Sequence, residues 1–163
     1  MMVSAIDKSQ FVFFWGGPFS QWAKYPMEID GVRYVTCEQY MMASKARLFG
    51  DSEAEATILA TNNPRIQKAT GRRVKGFDEA VWESEREEIV YRANLAKFTQ
   101  HRHLRDELLS TGEQIIAEAS PHDPIWGIGM AENDPRITRM ELWGMNLLGK
   151  ALMRVREVLR NGG

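Results

Sequence analysis

The sequence has a single cysteine, Cys37, and no apolar run of about 18 residues, the length that a membrane-spanning helix needs. One thiol cannot form an internal disulfide, and the low cysteine content fits a reducing compartment. The N-terminus also lacks a basic stretch followed by a long apolar segment, so we expect no secretory signal. These features predict a cytoplasmic protein without a membrane partner.

Neither sign of charge dominates, since 21 Lys and Arg residues stand against 22 Asp and Glu residues, for a formal net charge of -1. This balance predicts no broad attraction to nucleic acid or membrane, and any phosphate site must be local. The G-x-G-x-x-G and P-loop signatures are missing, which argues against an ordinary dinucleotide redox enzyme or NTPase. The histidines His101, His103 and His122 lack the spacing and the Cys or acidic partners of a metal site. We expect neither a metal nor a cofactor.

The composition suits one compact domain over residues 1–163, because 44% of the residues are apolar. Residues 11–15 favour an extended strand. Residues 27–35 contain Asp30 and Gly31 between short extended segments, which predicts a small hairpin. Residues 115–119 predict a further short strand. Helical patterns fill most of the remainder: from Cys37, over 51–60, from Pro64 to Gly71, and over 78–99, 101–109 and 142–160. The fold class is α+β, as a single, mainly helical domain with a small N-terminal β element.

Three segments carry more specific expectations. Gly71 should end its helix and leave Arg72 and Arg73 in a loop. A loop from residue 120 to about residue 136 has no helical period, and loops of this length usually line functional sites. The longest helix has six apolar candidates for burial: Val81, Trp82, Ile89, Ala93, Leu95 and Ala96.

The segment TCEQYMMASK, which begins at Thr36, is the strongest local signal. Thr36 and Gln39 have the form of a capping box, which predicts a helix that begins near Cys37. Glu38 and Lys45 are seven residues apart, so they lie within roughly 20° on the helix surface and about 10 Å apart along its axis. Both side chains should face one cleft. By position alone, Glu38 equally suits a residue that stabilises the helix dipole, and Lys45 suits a solvated cation.

Several motifs follow one another along the chain: PFSQW ending at Trp22, then TCEQYMMASK, Trp82, WGIG from Trp126, and NLLGKALMRVR from Asn146. In their order and spacing they resemble the NADAR family, also called YbiA-like, over most of the chain. The resemblance implies a YbiA-like fold and an N-glycosidase, which cuts the bond between a ribose carbon and a base or amide nitrogen. The substrates it implies are phosphoribosylated riboflavin precursors and ADP-ribosylated guanine.

The resemblance also implies catalytic roles. Glu38 becomes the central carboxylate, because it can activate water or stabilise positive charge on the ribose. Lys45 either orients a phosphate or hydroxyl, or attacks the opened ribose aldehyde to form a Schiff base. Asp123 would position water or bind ribose hydroxyls, although an Asx turn before Pro124 explains it equally well from local sequence.

The predicted substrate-binding residues are Trp22, Arg72, Arg73, Trp82, Trp126, Gly127 and Asn146. The tryptophans would hold the base or form walls of the pocket, the arginines would bind a phosphate, and Asn146 would hydrogen-bond the sugar. Without the resemblance, Trp82 suits a core position and the arginines suit a solvated loop. Gly149 would let the final helix pack closely. The chain departs from the family at Gln21, where Asn is commoner, and at Gln39, where many members carry His.

We therefore expect an N-glycosidase that hydrolyses the ribosyl C–N bond of phosphorylated nucleotide-like metabolites, such as riboflavin biosynthesis intermediates, or of ADP-ribosylated guanine. Its partner is a small ribosyl phosphate or ADP-ribose substrate, with ADP-ribosylated nucleic acid as a further candidate. The alternative is a non-catalytic ADP-ribose or nucleotide-binding module that uses the same cleft. In that case, loss of the Glu38 carboxylate would leave the ligand affinity and the biological output nearly unchanged.

Overall fold

A computed structural model of the chain describes residues 7–162. They form two compact units, one of residues 21–104 and one that combines the chain up to Ser20 with the chain from Arg105 onward. The elements are β1 (Phe11–Phe14), β2 (Met27–Ile29), β3 (Val32–Tyr34), α1 (Cys37–Leu48), α2 (Ser52–Leu59), α3 (Pro64–Arg72), α4 (Glu79–Gln100), α5 (Arg102–Ser110), β4 (Ile115–Glu118) and α6 (Leu147–Arg160). The α+β class is confirmed, and the expectation of a single domain stays a prediction.

A two-stranded antiparallel hairpin opens the unit of residues 21–104. Its strands β2 and β3 pair with Met27 opposite Tyr34. Asp30 and Gly31 form the turn with φ values of 52° and 81°, the left-handed values that a two-residue type I′ turn requires. The hairpin over residues 27–35 is therefore confirmed. The β1 segment, which was predicted to be extended, is a strand of a different sheet.

Four helices, α1 to α4, make up most of this unit, and a side chain caps the N-terminus of each. The capping oxygens of Thr36, Asp51, Asn63 and Asp78 accept backbone N–H groups of the first helical turns. α1 packs against α2, α3 and α4, and most of its residues are buried. The polar side chains of Glu38, Gln39 and Ser44 are consequently enclosed by protein. None of the helices within residues 7–162 is both long and apolar enough to cross a membrane.

The capping box at the start of α1 is present in part. The Thr36 Oγ1 accepts the N–H of Gln39 at 3.1 Å, as predicted. The Gln39 side chain accepts the N–H of Val35 instead of that of Thr36, and its Nε2 donates to the carbonyls of Ile58 and Thr61. Gln39 thereby ties the start of α1 to the end of α2.

Gly71 does not end α3, which continues to Arg72 and has Arg73 as its C-cap. Gly71 is buried, and a Cβ at this position would overlap the Met42 sulfur of α1. Glycine is therefore used here for close helix packing, a requirement that local sequence does not reveal. The loop assignment of Arg72 was wrong, because this residue is the last of the helix.

α4 begins one residue after the predicted start at Asp78, which is its N-cap, and Trp82 and Ala93 are buried as predicted. Val81 is 40% exposed, which contradicts its predicted burial. The predicted residues that are only partly buried are Ile89, Leu95 and Ala96. The buried face instead includes Asn94 and Lys97, both 0% exposed. The spacing of apolar residues does not identify such polar side chains, which can be buried because they have interaction partners.

The other unit pairs β1 with β4 in parallel, with Phe11 opposite Ile115, and α6 packs on β4. The predicted strand at residues 115–119 is confirmed. α6 begins at Leu147, five residues later than the predicted start at Leu142. Backbone N–H groups of residues 144–148 donate to carbonyls of residues 124–128, and this pairing holds the chain before α6 out of the helix.

Candidate active site

Lys45 is the centre of a mixed cluster in the unit of residues 21–104. Its side chain projects from α1, and its Nζ lies 4.7 Å from the Phe77 ring centroid and 5.4 Å from that of Trp82. The charges of Arg72 and Glu38 both act on its amine. The structure therefore brings together four of the predicted site residues: Glu38, Lys45, Arg72 and Trp82.

Glu38 occupies the first turn of α1 and is only 5% exposed. Its backbone N–H donates to the carbonyl of Gln21 at 3.0 Å, which holds the residue at the start of the helix. The unpaired N–H groups of a first helical turn favour a negative charge there. Glu38 thus combines burial, which strengthens its electrostatic interactions, with a position that suits the ionised carboxylate.

The Lys45 amine has a lowered pKa. Partial burial is the main cause, and the nearby positive charge of Arg72 lowers the pKa further, whereas the negative charge of Glu38 acts in the opposite direction. A larger fraction of the amine is consequently neutral at a given pH than for an exposed lysine. Cation–π contact with two rings gives the charged form a partial replacement for water.

An Arg72→Gln substitution should raise the pKa of Lys45, because it removes a like charge. Carbon-13 NMR titration of labelled lysines measures this midpoint directly. If turnover uses the neutral amine, the acid limb of the pH–rate profile should move to higher pH by the same amount.

The matched control for Arg72→Gln is Arg73→Gln, since the next residue is also exposed and lies at the C-cap of α3. It should leave the Lys45 midpoint unchanged. Equal midpoints in wild-type and Arg72→Gln proteins would show that the guanidinium does not act on the amine.

Phe77 is a wall of the cluster that sequence reasoning missed. It is 45% exposed and packs against Phe49, with ring centroids 5.4 Å apart. The signal available in sequence was an aromatic residue directly after the basic segment GRRVKG and a short distance before Trp82. An exposed ring over Lys45 gives a planar ligand a surface on which to stack.

Trp22 lies beside α3 in the same unit. It is 42% exposed, and the Nζ of Lys68 lies 5.7 Å from its ring centroid. Its predicted role as a pocket wall stays a prediction, as does phosphate binding by Arg73. Of the two predicted phosphate ligands, Arg72 is the one whose charge lowers the pKa of Lys45.

The single thiol takes no part in this chemistry. Cys37 is 0% exposed, and burial raises its pKa to about 11, while the charge of Lys97 opposes the rise and that of Glu38 adds to it. The thiol is therefore protonated at neutral pH and is a poor nucleophile. Burial in turn lowers the pKa of Lys97.

Asp123 caps its own loop in the other unit. Its Oδ1 accepts the N–H groups of Ile125 at 2.9 Å and Trp126 at 2.8 Å, so the Asx turn is present. A Cβ on Gly127 would lie 2.8 Å from the carbonyl oxygen of Glu118. Gly127 is therefore needed for packing against β4. Ligand contacts of Asp123, Trp126 and Gly127 stay predictions.

Asn146 precedes α6 with a φ of 51° and is 4% exposed. Its Nδ2 donates to the carbonyl of Ile116 at 3.0 Å, and its Oδ1 accepts the N–H of Glu118 at 3.2 Å. A Cβ on Gly149 would overlap the Ile116 carbonyl oxygen, which fits the predicted close packing. Both polar groups of Asn146 thus bind β4, and its contact with a sugar stays a prediction.

A depression of about 400 Å³ lies on the unit of residues 21–104, on the side of Phe77 where Phe49 packs. Residues 49–53, Lys75 and Gly76 line it, and it includes none of the predicted site residues. Its Asp51 carboxylate already accepts N–H groups from Ala54 and Lys75. The chemistry of the Lys45 cluster, and not the shape of this depression, therefore identifies the candidate active site.

Known proteins show the same sequence pattern and fold. The NADAR domain family matches residues 12–160. The chain is 39% identical to N-glycosidase R617 of Acanthamoeba polyphaga mimivirus, over 93% of this chain and 98% of that protein. It is also 34% identical to the chloroplastic riboflavin biosynthesis protein PYRR of Zea mays, over 86% of this chain and 23% of that protein.

The NMR structure of the E. coli protein YbiA matches 96% of this chain, with a TM-score of 0.77, 29% sequence identity and 88% coverage of that chain. The predicted YbiA-like fold is confirmed. Because these matches span nearly the whole sequence, the chain belongs to the NADAR family of N-glycosidases, which are hydrolases that act on N-glycosyl bonds.

Proposed function

We propose that this N-glycosidase hydrolyses the bond between the anomeric carbon of a phosphorylated ribose and a base nitrogen, at the cluster around Lys45. The observation that carries the proposal is the position of the Lys45 amine over Phe77 and Trp82, within the electrostatic reach of Glu38 and Arg72. Hydrolysis of such a phosphorylated substrate uses a carboxylate, a polar group at the sugar, an aromatic surface and a phosphate ligand, and the cluster contains a candidate residue for each.

Glu38 acts on the reacting carbon. When the C–N bond breaks, its electron pair goes to the nitrogen and positive charge develops on the ribose, which the carboxylate stabilises. The oxygen of a water molecule then bonds to the anomeric carbon, and one proton of that water ends on the departing nitrogen. Phe77 and Trp82 hold the planar base by stacking, and Arg72 contacts a phosphate.

A stripe of positive charge on α3 leads away from this cluster. Arg65, Lys68 and Arg72 are spaced three and four residues apart, so they lie on one side of the helix and span about 10 Å along its axis. Residues 63–76 contain no Asp or Glu. Within the described part of the chain, none of the three stripe cations forms a salt bridge, whereas arginines elsewhere do.

The length of this stripe supports an ADP-ribose adduct, such as ADP-ribosylated guanine, as the substrate class. A diphosphate is an extended anion that several cations in a row can contact, whereas a single phosphate needs one. Trp22, exposed beside Lys68, would stack the second base of such a ligand. Riboflavin biosynthesis intermediates are the second candidate, because a relative at 34% identity carries that pathway in its name.

Turnover of the two substrate classes tests this preference. A combined Arg65→Gln and Lys68→Gln variant should raise KM for ADP-ribosylated guanosine about tenfold, which corresponds to about 1.4 kcal/mol for two exposed charge contacts. It should change KM for a phosphoribosylated riboflavin precursor less than about twofold. Initial rates of release, followed by chromatography, give both values.

The control is Arg92→Gln, which removes an exposed arginine that is bonded to Asp30 on another surface of this unit. It should alter neither KM. Equal effects of the α3 variant on both substrates would reject the role of the stripe, and faster turnover of the riboflavin precursor by the wild-type protein would favour the second candidate.

A further inference from the structure

Asn94 is a polar residue on the buried face of α4, and every polar atom of its side chain has a partner. It is 0% exposed. Its Nδ2 donates to the carbonyl of Val90 at 2.9 Å and to the Oε1 of Gln21 at 3.0 Å. Its Oδ1 accepts from the Cys37 thiol at 3.7 Å, a distance suited to sulfur. The bond to the Val90 carbonyl fixes which amide atom is the nitrogen, because an oxygen could not donate there.

The two side-chain partners of Asn94 both adjoin the backbone of Glu38. Cys37 is covalently joined to Glu38 as the preceding residue of α1. Gln21 accepts the backbone N–H of Glu38 with its carbonyl oxygen at 3.0 Å. Asn94 therefore links α4 to two residues that contact the backbone of the candidate catalytic residue.

The Gln21 side-chain amide has one orientation that its bond to Asn94 explains. Its side chain is 8% exposed, and its Nε2 has no hydrogen-bond partner among residues 7–162. A buried donor without a partner costs free energy, and such costs are rare in proteins. The amide is nevertheless held with its Oε1 toward Asn94. The orientation of Gln21 thus follows from the donor that Asn94 presents.

We propose that Asn94 is a positioning residue for the hydrolysis, which fixes Gln21 and Cys37 and thereby the direction in which Glu38 presents its carboxylate. This inference rests on the proposed role of Glu38. Active sites must hold their reacting groups within a fraction of an ångström, and a displacement of about 1 Å can reduce a rate about 100-fold. A side chain that fixes the position of the first turn of α1 can therefore affect the rate without touching the substrate.

The first test is an Asn94→Leu variant, which keeps the branching of the side chain and removes its hydrogen bonds. Its kcat should fall about 10- to 100-fold, while KM changes less than about threefold, because the phosphate and base contacts are retained. The assay uses whichever of ADP-ribosylated guanosine and the phosphoribosylated riboflavin precursor the wild-type protein cleaves faster. A kcat within about twofold of the wild-type value would overturn the inference.

Gln100→Met is the matched control, because it removes another side-chain amide that links the same helix to a neighbouring element. The Gln100 side chain accepts the N–H of Glu28 and donates to its carbonyl, both at 2.8 Å, on the β2 strand. This variant should lower the midpoint of thermal unfolding but keep kcat within about twofold. A parallel loss of kcat in both variants would mean that kcat only follows stability, and would reject a positioning role.

A double variant separates this inference from the proposed function. In a Glu38→Gln background, Asn94→Leu should reduce the residual rate no further, since the group that it positions is already lost. An equal further loss would show that Asn94 acts independently of Glu38. Full activity of Glu38→Gln alone would instead reject the proposed function.

If Asn94→Leu does not fold, Gln21→Met decides by the same kcat criterion. This substitution keeps the length of the side chain but removes the Oε1 that accepts the N–H of Asn94. A fall in kcat with little change in KM would support the inference, and an unchanged kcat would overturn it.

Discussion

A Glu38→Gln variant should lose about 100- to 10,000-fold of the hydrolytic rate and keep its fold. The substitution preserves shape and hydrogen-bonding capacity but removes the charge that stabilises the ribose, and loss of such groups has effects of this size. The favourable interaction of this buried carboxylate with the start of α1 is worth at most about 2 kcal/mol, which is small against the stability of a typical domain, so the protein should remain folded. The measurements are initial rates of product release and the midpoint of thermal unfolding.

Glu79→Gln is the matched control for this experiment, because Glu79 also lies in the first turn of a helix but is exposed. It should lose the same small dipole interaction and keep the wild-type rate. Calorimetry with ADP-ribose should give nearly the same affinity for wild-type and Glu38→Gln proteins. A Glu38→Gln protein that hydrolyses at the wild-type rate would reject the catalytic assignment.

A Lys45→Met variant should lose at least about 100-fold of the rate. Methionine matches the length of the lysine stem and packs well against aromatic rings, so the contacts with Phe77 and Trp82 should persist without the amine. What disappears is the polar group proposed to act at the sugar, whether it orients a hydroxyl or attacks the aldehyde. Rates of product release, with KM determined separately, measure this loss.

Reduction with borohydride during turnover distinguishes the two roles of Lys45. In a Schiff-base mechanism the amine loses water as it bonds to the aldehyde carbon, and hydride then traps the adduct, which mass spectrometry should find on Lys45 of the wild-type protein. In an orienting mechanism no adduct forms. The control is Lys150→Met, at an exposed position of α6, which should retain both rate and adduct. Wild-type activity in Lys45→Met would exclude both roles.

Local rules predicted the features whose causes lie within a few residues. The turn at Asp30 and Gly31 and the cap at Thr36 were recoverable because side-chain and backbone requirements meet in one short segment. The relation between Glu38 and Lys45 followed from helix geometry alone. These are the parts of the candidate site that depend only on α1.

Features that depend on distant partners were not recoverable. The pairing of β1 with β4 joins segments far apart in sequence, and a run of apolar residues does not specify its partner strand. Gly71 has the form of a helix stop, yet it is buried within α3 against Met42. Phe77 and Asn94 gained their importance only when α3 and α4 packed around α1, and no spacing rule indicates such contacts.

The most direct test of the central claim is the time course of ADP-ribose and guanosine release from ADP-ribosylated guanosine, and of base release from the phosphoribosylated riboflavin precursor, with wild-type and Glu38→Gln proteins side by side. We expect the wild-type protein to release sugar and base in equal amounts from at least one substrate, and the variant to bind that substrate and leave it intact. Binding of both substrates by the wild-type protein without release of either would show that the cleft belongs to a non-catalytic module.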